Sequence, residues 1–358
     1  MSTKGIDEFQ GTERFGILRR LGAGGMGIVY EAYDREREEL VALKVLRNLA
    51  AESVLQFKQE FRSLAQTVHP NLVPLYELIS DGNQWFFTME LLKDSVAFVD
   101  YVRTEEEGGG ARAKPPPGHL HTSSDLTIGS SQESAGEAGD EDDRRAKSSP
   151  PSKKVVAPIP DERPPVSGVD FERLRDGLRQ LVEGTNWLHD AGIVHRDLKP
   201  ENVLVRPGGR VTLLDFGLVA PLAGVNPLRG GVSFSGSSPA HGESTERRIV
   251  GSIGYMSPEQ AADEPLTPAT DWYAVGVILY RSLTGRLPFE GRAHEVLEAK
   301  QRIDPPAPAA LFEGIPADLD ALCMRLLDRN AARRPRAIGI LAGIGAGSAS
   351  EETDGAAG

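Results

Sequence analysis

The sequence predicts an α+β chain of two lobes, the first β-rich and the second mainly helical. Three observations carry this reading. Short β-rich runs with turn residues between them fill residues 15 to 46 and 72 to 92, with one helical stretch interposed. From residue 169 onward apolar residues recur at helical spacing instead. Between about 104 and 168 the composition shifts to Gly, Pro, Ser and charge, with almost no aromatics, which marks an insertion too polar to bury a core.

Composition sets the outer limits. The 358 residues are 39% hydrophobic and 26% charged, ordinary for a globular chain and enough for a sizeable core. Lys and Arg number 40 against 52 Asp and Glu, and the net charge of −12 argues against nucleic acid as a partner. The single cysteine, Cys323, rules out an internal disulfide framework and fits a reducing compartment. Its setting, "LDALCMRLL", reads as the buried face of a helix. The first fifteen residues lack the apolar stretch of a secretory signal, and no run reaches the roughly 18 apolar residues of a membrane span. A cytoplasmic location without a membrane partner is the expectation.

In order along the chain, residues 1–14 read as a tail. "FGILRRL", "GIVYEAYD" and "LVALKVL" then read as strands, with glycines between the first two and the charged turn "REREE" before the third. "ESVLQFKQEFRSLAQTV" carries apolar residues at 54, 55, 57, 61, 64, 65 and 68, a helical spacing. "LVPLYELI" and "QWFFTMELL" are strands joined by "SDGN". These make a first lobe over 15–92. The insertion follows, and its removal (residues 108–165) is expected to leave stability nearly unchanged. "FERLRDGLRQLVEGTNWLHDAG" opens the helical part. "TPATDWYAVGVILYRSLTG" starts on Thr-Pro and stops at Gly, and "PADLDALCMRLLD" has proline at its first turn. The second lobe spans 93–342. The glycine-rich end "RAIGILAGIGAG" reads as a poor last helix, with a tail over 343–358.

The chemistry concentrates in three places. "LGAGGMGIVY" sets Gly22, Gly24 and Gly27 in a G-x-G-x-x-G-x-V pattern closed by Val29. Glycines let a backbone approach phosphates and present N–H groups to them. A dinucleotide-binding turn would need a helix after the last glycine, and "GIVYEAYD" is strand-like, so these glycines tip a hairpin. Seventeen residues after Gly27, "VALK" puts Lys44 on a strand among apolar neighbours. It is either a lysine reaching to solvent or a phosphate-pairing cation that needs a carboxylate to fix it. Glu60 lies on the following helix. "IVHRDLKPENVLV" places His195, Arg196, Asp197, Lys199, Glu201 and Asn202 between two apolar runs, a surface turn or a chemical site held by two strands.

The glycine flap, "VALK" and the helical glutamate resemble the first lobe of a eukaryotic-type (Hanks-type) serine/threonine protein kinase. "HRDLKPEN" matches the family's catalytic loop, and "DFG" follows Asn202 by thirteen residues, at the end of "RVTLL". "GYMSPE" resembles the A-P-E region with Ser257 for alanine, and "DWYAVG" carries the family's Asp271 and Gly276. "GGMGIVYEAYD" and "YMSPEQA" look like the bacterial branch.

The resemblance implies the bilobed protein-kinase fold and an enzyme using ATP and Mg2+ to phosphorylate Ser or Thr of protein substrates. It implies catalytic roles for Asp197, which orients the acceptor hydroxyl and takes its proton, for Lys199 near the transferring group, and for Asn202. Asn202 and Asp215 would ligate the metal. Leu21, Gly22, Ala23, Gly24, Gly25, Met26, Gly27 and Val29 would cover the nucleotide. Ala42, Met89, Glu90, Leu92 and Leu204 would hold its base, and Lys44 with Glu60 its phosphates. Glu259 would pair with Arg334 structurally.

Arg196 implies control by an activation-loop phosphate, with Thr245 nearest the family's position, Ser244 beside it, and transient self-association for autophosphorylation. Ser252 stands where the family has threonine and keeps the hydroxyl. A pseudokinase-like nucleotide-binding module would be expected to lack Lys44, Asp197 or Asp215, and all three are present. A small-molecule phosphotransferase would lack "SPE" and the "DWYAVG" helix.

Overall fold

Alternating apolar residues in the five β-rich runs generate one antiparallel sheet in the order β1-β2-β3-β5-β4. The computed structural model describes residues 9–23, 27–46, 51–66, 68–82, 84–103, 155–160, 162–215 and 253–345. The strands are β1 (Phe15–Ala23), β2 (Gly27–Asp34), β3 (Glu39–Leu46), β4 (Leu75–Asp81) and β5 (Gln84–Glu90), with helix α1 (Ala51–Ala65) between β3 and β4. Strand β3 is covered on both faces. Val41, Leu43 and Val45 join Phe15, Tyr30 and Phe86 on one side. Ala42 and Leu46 meet Phe57, Phe61 and Leu64 of α1 on the other. The two-residue period puts Lys44 on the α1 face, mid-strand and 5% exposed, so it does not reach out to solvent. Gly27 pairs with Leu46, and a Cβ there would run into the Val45 carbonyl oxygen, so only glycine fits.

Of the segment before β1 that reads as a tail, residues 9–14 pack on the first lobe, and residues 1–8 lie outside the described residues. Phe9 is 8% exposed, with its ring centroid 5.2 Å from that of Phe86. Arg14 donates to Asp34 Oδ1 and Oδ2 at 2.8 and 2.7 Å and to Glu77 at 2.9 Å. Asp34 is fully buried and also accepts the Glu36 N–H, capping the β2–β3 turn.

The second lobe begins with β6 (Val96–Ala97) and α2 (Phe98–Val102), and β6 joins β7 (Val203–Val205) and β8 (Val211–Leu213) in a small sheet. Around it stand α3 (Phe171–Asp190), α4 (Pro258–Ala261), α5 (Pro268–Thr284), α6 (Ala293–Arg302), α7 (Pro308–Leu311), α8 (Ala317–Leu326) and α9 (Ala337–Gly345). Asp170 caps α3 by accepting the Arg173 N–H, and Leu174, Leu178, Leu181 and Leu188 are fully buried along one face. Helix α5 is buried nearly all round. Gly276 lets it touch α8, because a Cβ there would sit 2.7 Å from that of Leu326. Cys323 is fully buried in the same contact, and burial pushes its thiol pKa well up, away from the reactive thiolate.

Two sequence expectations change here. The glycine-rich end forms α9, through Gly345, because Ile340 and Ile344 lie one turn apart and are both buried. Arg175 adds a bond to the Ile344 carbonyl oxygen at 2.7 Å. The last part of the insertion also packs. Val155 is 1% exposed and lies against Phe289, Val296 and Leu297. Val166 N–H donates to Glu313 O at 2.7 Å, and Glu313 N–H to Pro164 O at 2.9 Å. A deletion of 108–165 would remove Val155 and the Pro164 carbonyl oxygen with their contacts, so it is expected to cost stability rather than be neutral. A few valines were enough to anchor a segment whose overall composition is polar.

Replacing Arg14 by Ala leaves the Asp34 carboxylate buried without its counter-ion. The expected loss is about 3 kcal/mol in urea unfolding at pH 7. The Arg14 hydrogen bond is the main cause holding the Asp34 pKa below its ordinary value. That stabilisation exists above the unfolded carboxylate pKa and is lost as pH falls through the folded one. The gap between wild type and variant should therefore narrow below about pH 4.

Candidate active site

The loop from Ile193 to Asn202 runs from α3 to β7 and is held by one buried carboxylate. Asp271, on the first turn of α5, is 1% exposed. Its Oδ2 accepts the His195 N–H at 2.7 Å and lies 2.8 Å from His189 Nε2, and its Oδ1 accepts the Arg196 N–H at 2.8 Å. These bonds pin Arg196 at φ +67°, a left-handed conformation that a non-glycine residue adopts only when its surroundings impose it. His195 is fully buried, and its Nε2 lies 2.8 Å from the Leu214 carbonyl oxygen, tying the loop to the residue before Asp215. The Leu214 N–H in turn donates to Asn202 O at 2.9 Å.

Asp197, Lys199 and Asn202 come together on this loop. Lys199 Nζ is 3.0 and 2.7 Å from the two Asp197 oxygens. Asn202 Nδ2 donates to Asp197 O at 2.7 Å and to Oδ2 at 3.1 Å. The 3-10 turn Pro200–Asn202 makes this possible, with proline at its first position.

Asp215, at φ +56°, follows β8, and its Oδ1 lies 2.8 Å from Lys44 Nζ. The pair is an ion contact without a well-directed hydrogen bond, so the carboxylate oxygen keeps acceptor capacity. Glu60 is half-buried on α1. Among the described residues no cluster of three or more His, Cys, Asp or Glu could hold a metal. What the site offers is the Asp215 carboxylate and the Asn202 amide oxygen, the atom turned from Asp197 when the amide nitrogen donates to it. That donor set fits a cation completing its shell with phosphates and water, as Mg2+ does.

Ala42 and Met89, which the family resemblance implies would meet the base, are buried and pair across β3 and β5. Leu21, Val29 and Leu92 are half-buried against the same core, and Leu204 is buried on β7. The Glu90 N–H donates to Pro74 O at 3.0 Å. Gly22 and Ala23 end β1, and Gly27 begins β2. Gly24, Gly25 and Met26 lie outside the described residues, as do Phe216, Gly217, Ser244, Thr245, Glu246 and Ser252.

The Glu259–Arg334 pair is bidentate, at 2.6 and 2.8 Å, with the Thr270 hydroxyl donating to Glu259 at 3.0 Å. Burial works against the Glu259 charge, yet the Arg334 hydrogen bonds hold its pKa below the ordinary carboxylate value.

Three contacts had no sequence signal. Arg206 clamps Glu90 at 2.6 and 2.7 Å, joining β7 to the segment that links the lobes. Gln260 Nε2 donates to Arg196 O at 2.9 Å. Lys300 of α6 is buried with Nζ at 2.9, 2.6 and 2.6 Å from the carbonyl oxygens of Ile253, Gly254 and Met256. Burial pulls its pKa down to about 7, and three carbonyl acceptors pull the other way, matching the three N–H of an ammonium.

A bilobed molecule with this loop, this lysine–aspartate contact and this glycine hairpin is of the protein kinase class. A family model described as the protein kinase domain matches residues 15–109 and 166–342. The chain belongs to that family, and the unmatched stretch falls where the composition marks the insertion. The serine/threonine-protein kinase PknL of Mycobacterium tuberculosis is 30% identical over 326 residues, covering 90% of this chain and 62% of the relative. The serine/threonine-protein kinase PknD of Chlamydia trachomatis is 27% identical over 332 residues, covering 90% of this chain and 30% of the relative. The chain thus spans less than two thirds of these relatives, and the similarity is to the bacterial Hanks-type serine/threonine branch.

Asp271→Asn tests the anchor. An amide offers one acceptor oxygen where three N–H groups converge on two, so at least one donor loses its partner, at about 1–3 kcal/mol. Calorimetry should show a lowered Tm with cooperative unfolding retained, and hydrogen exchange should show faster exchange at residues 195 and 196.

Proposed function

We propose that this chain is an ATP-dependent serine/threonine protein kinase. The observation that carries the reading is the Asp197 carboxylate held by Lys199 and Asn202 on a loop that also meets the segment of Asp215 and, through it, Lys44. In this reading Asp197 orients the acceptor hydroxyl and takes its proton as the new O–P bond forms and the γ-phosphate leaves ADP. Lys44 pairs with the α- and β-phosphates, with Glu60 as its steadying carboxylate, and Lys199 offsets charge on the transferring group. Asn202 and Asp215 would hold Mg2+, which when bound neutralises phosphate charge. The flap from Leu21 to Val29, with Gly24, Gly25 and Met26 at its tip, would cover the phosphates. Ala42, Met89, Glu90, Leu92 and Leu204 would enclose the base.

The partners are proteins bearing Ser or Thr, and the net charge of −12 speaks against nucleic acid. No described helix is long and apolar enough to cross a membrane. A cytoplasmic site of action rests on the lone buried cysteine and the composition.

Regulation by a phosphate, added through transient self-association, is supported by Arg196. Its Nε is buried without a partner among the described residues, beside Asp197. A phosphate on Thr245 would bring the −1.5 to −2 charges and acceptor oxygens that such a guanidinium takes.

Asp197→Asn should leave the ATP Kd within about twofold and lower kcat by roughly 100- to 10,000-fold. Calorimetric titration and incorporation of labelled phosphate into a basic acceptor protein measure the two. Unchanged autophosphorylation would remove Asp197 from the role of base. A pseudokinase-like module would instead bind ATP with no phosphate transferred by the wild type.

Phosphatase treatment should lower kcat/KM by at least about tenfold, and mass spectrometry should find the lost phosphate between residues 233 and 245. Full activity without phosphate would point to Glu246 as the anion.

A further inference from the structure

Residues Ile253 to Met256 precede α4 and border the catalytic loop. Tyr255 and Met256 line a cleft together with Arg196, Asp197, Leu198 and Gln260. In the phosphotransferase reading the nucleotide belongs to the glycine hairpin and the base-pocket residues, none of which lines this cleft, so the cleft is left to the acceptor. The wall belongs to no β-ladder. Its carbonyls at 253, 254 and 256 are held instead by the Lys300 ammonium, and Tyr255 accepts a hydrogen bond from Arg281 at 2.6 Å.

The apolar side of the wall is held from the insertion. Val155 is 1% exposed in a cluster with Ile253, Phe289, Val296 and Leu297, and Met256 and Val156 pack at its edge. The Val155 carbonyl oxygen accepts the Glu290 N–H at 2.8 Å. The chain then runs down the lobe. Arg163 donates to Ala309 O at 2.6 Å, and Pro164 to Val166 are fastened to Glu313. Residues 110–165 are the part that the family model leaves out, so Val155 brings to the cluster that holds Ile253 a side chain from outside the matched domain.

We infer that residues 155–160 and 162–166 form a strap that positions the 253–256 wall for binding the protein acceptor, and that Val155 is the positioning residue through which it acts. The inference rests on the phosphotransferase reading only for what the wall binds. A wall held on both sides is preorganised, and preorganisation lowers the ordering cost of binding without touching the phosphate-side machinery. The effect therefore belongs in the acceptor KM, not in ATP binding.

The test uses the full chain as wild type, Val155→Asp and Val155→Ala, with myelin basic protein as acceptor probe. Steady-state kinetics give the KM for acceptor and for ATP, acceptor-free ATP hydrolysis reports the chemical centre, and hydrogen exchange reports residues 253–256. The acceptor KM should rise about tenfold in V155D and about threefold in V155A. ATP KM and acceptor-free hydrolysis should stay within about twofold, with faster exchange at 253–256. An unchanged acceptor KM overturns the inference. So does a rise in acceptor kcat/KM, which would make the strap a shield, or an equal rise in ATP KM, which would mean general loosening. If V155D fails to fold, V155A decides by the same readouts. If the wild type transfers no phosphate, the phosphotransferase reading fails instead. Exchange at 253–256 in V155A then still judges the strap, and no change there sinks it.

Discussion

The Asp271 carboxylate accepting the backbone N–H groups of His195 and Arg196 is the constraint on which the site depends. A loop this polar has no reason of its own to adopt one shape, and Arg196 sits in a left-handed conformation that costs energy. A buried charge offsets that cost only when its own position is fixed. Helix α5 supplies the fixity, because it is buried on nearly every face and meets α8 through Gly276. The loop inherits its rigidity from the core, and Asp197 is placed without being in the core itself.

Around that anchor, opposite charges are distributed across the junction of the lobes. Lys44 of the sheet meets Asp215 of the second lobe, and Arg206, the residue after β7, clamps Glu90 at the end of β5. The two pairs differ in kind. Arg206–Glu90 is bidentate and rigid, whereas Lys44–Asp215 is a contact without a directed hydrogen bond. The second is the one suited to part when an anion and a cation come between its members. Lys300 belongs to a third kind, a cation with no carboxylate among its bonded partners that organises carbonyls instead.

Most of the architecture was legible because its signals are local. The two-residue period of "LVALKVL" set which neighbours share a face with Lys44, and the order of glycine hairpin, "HRDLKPEN" and "DFG" located the cleft. The errors were all of one type. Phe9, Val155, and the Ile340 and Ile344 pair lie in polar or glycine-rich stretches, where composition points to loose chain. Average composition is a poor guide when one or two apolar side chains find a distant pocket, because burial of a single valine or isoleucine is worth about 1.5–3 kcal/mol.

Local pattern was therefore sufficient for the fold class, for the five strands and one helix of the first lobe, and for the long helices α3, α5 and α8 of the second. Motifs in order along the chain singled out Asp197, Lys199, Asn202, Lys44 and Asp215 as candidates through their resemblance to the family. Tertiary structure alone decided that Arg206 meets Glu90, that Lys300 gathers the carbonyls of 253–256, and that the end of the insertion seats Val155 on α6. Such contacts join residues far apart in sequence, and their partners are chosen by three-dimensional proximity and desolvation. Neither leaves a trace in the spacing of residues along the chain.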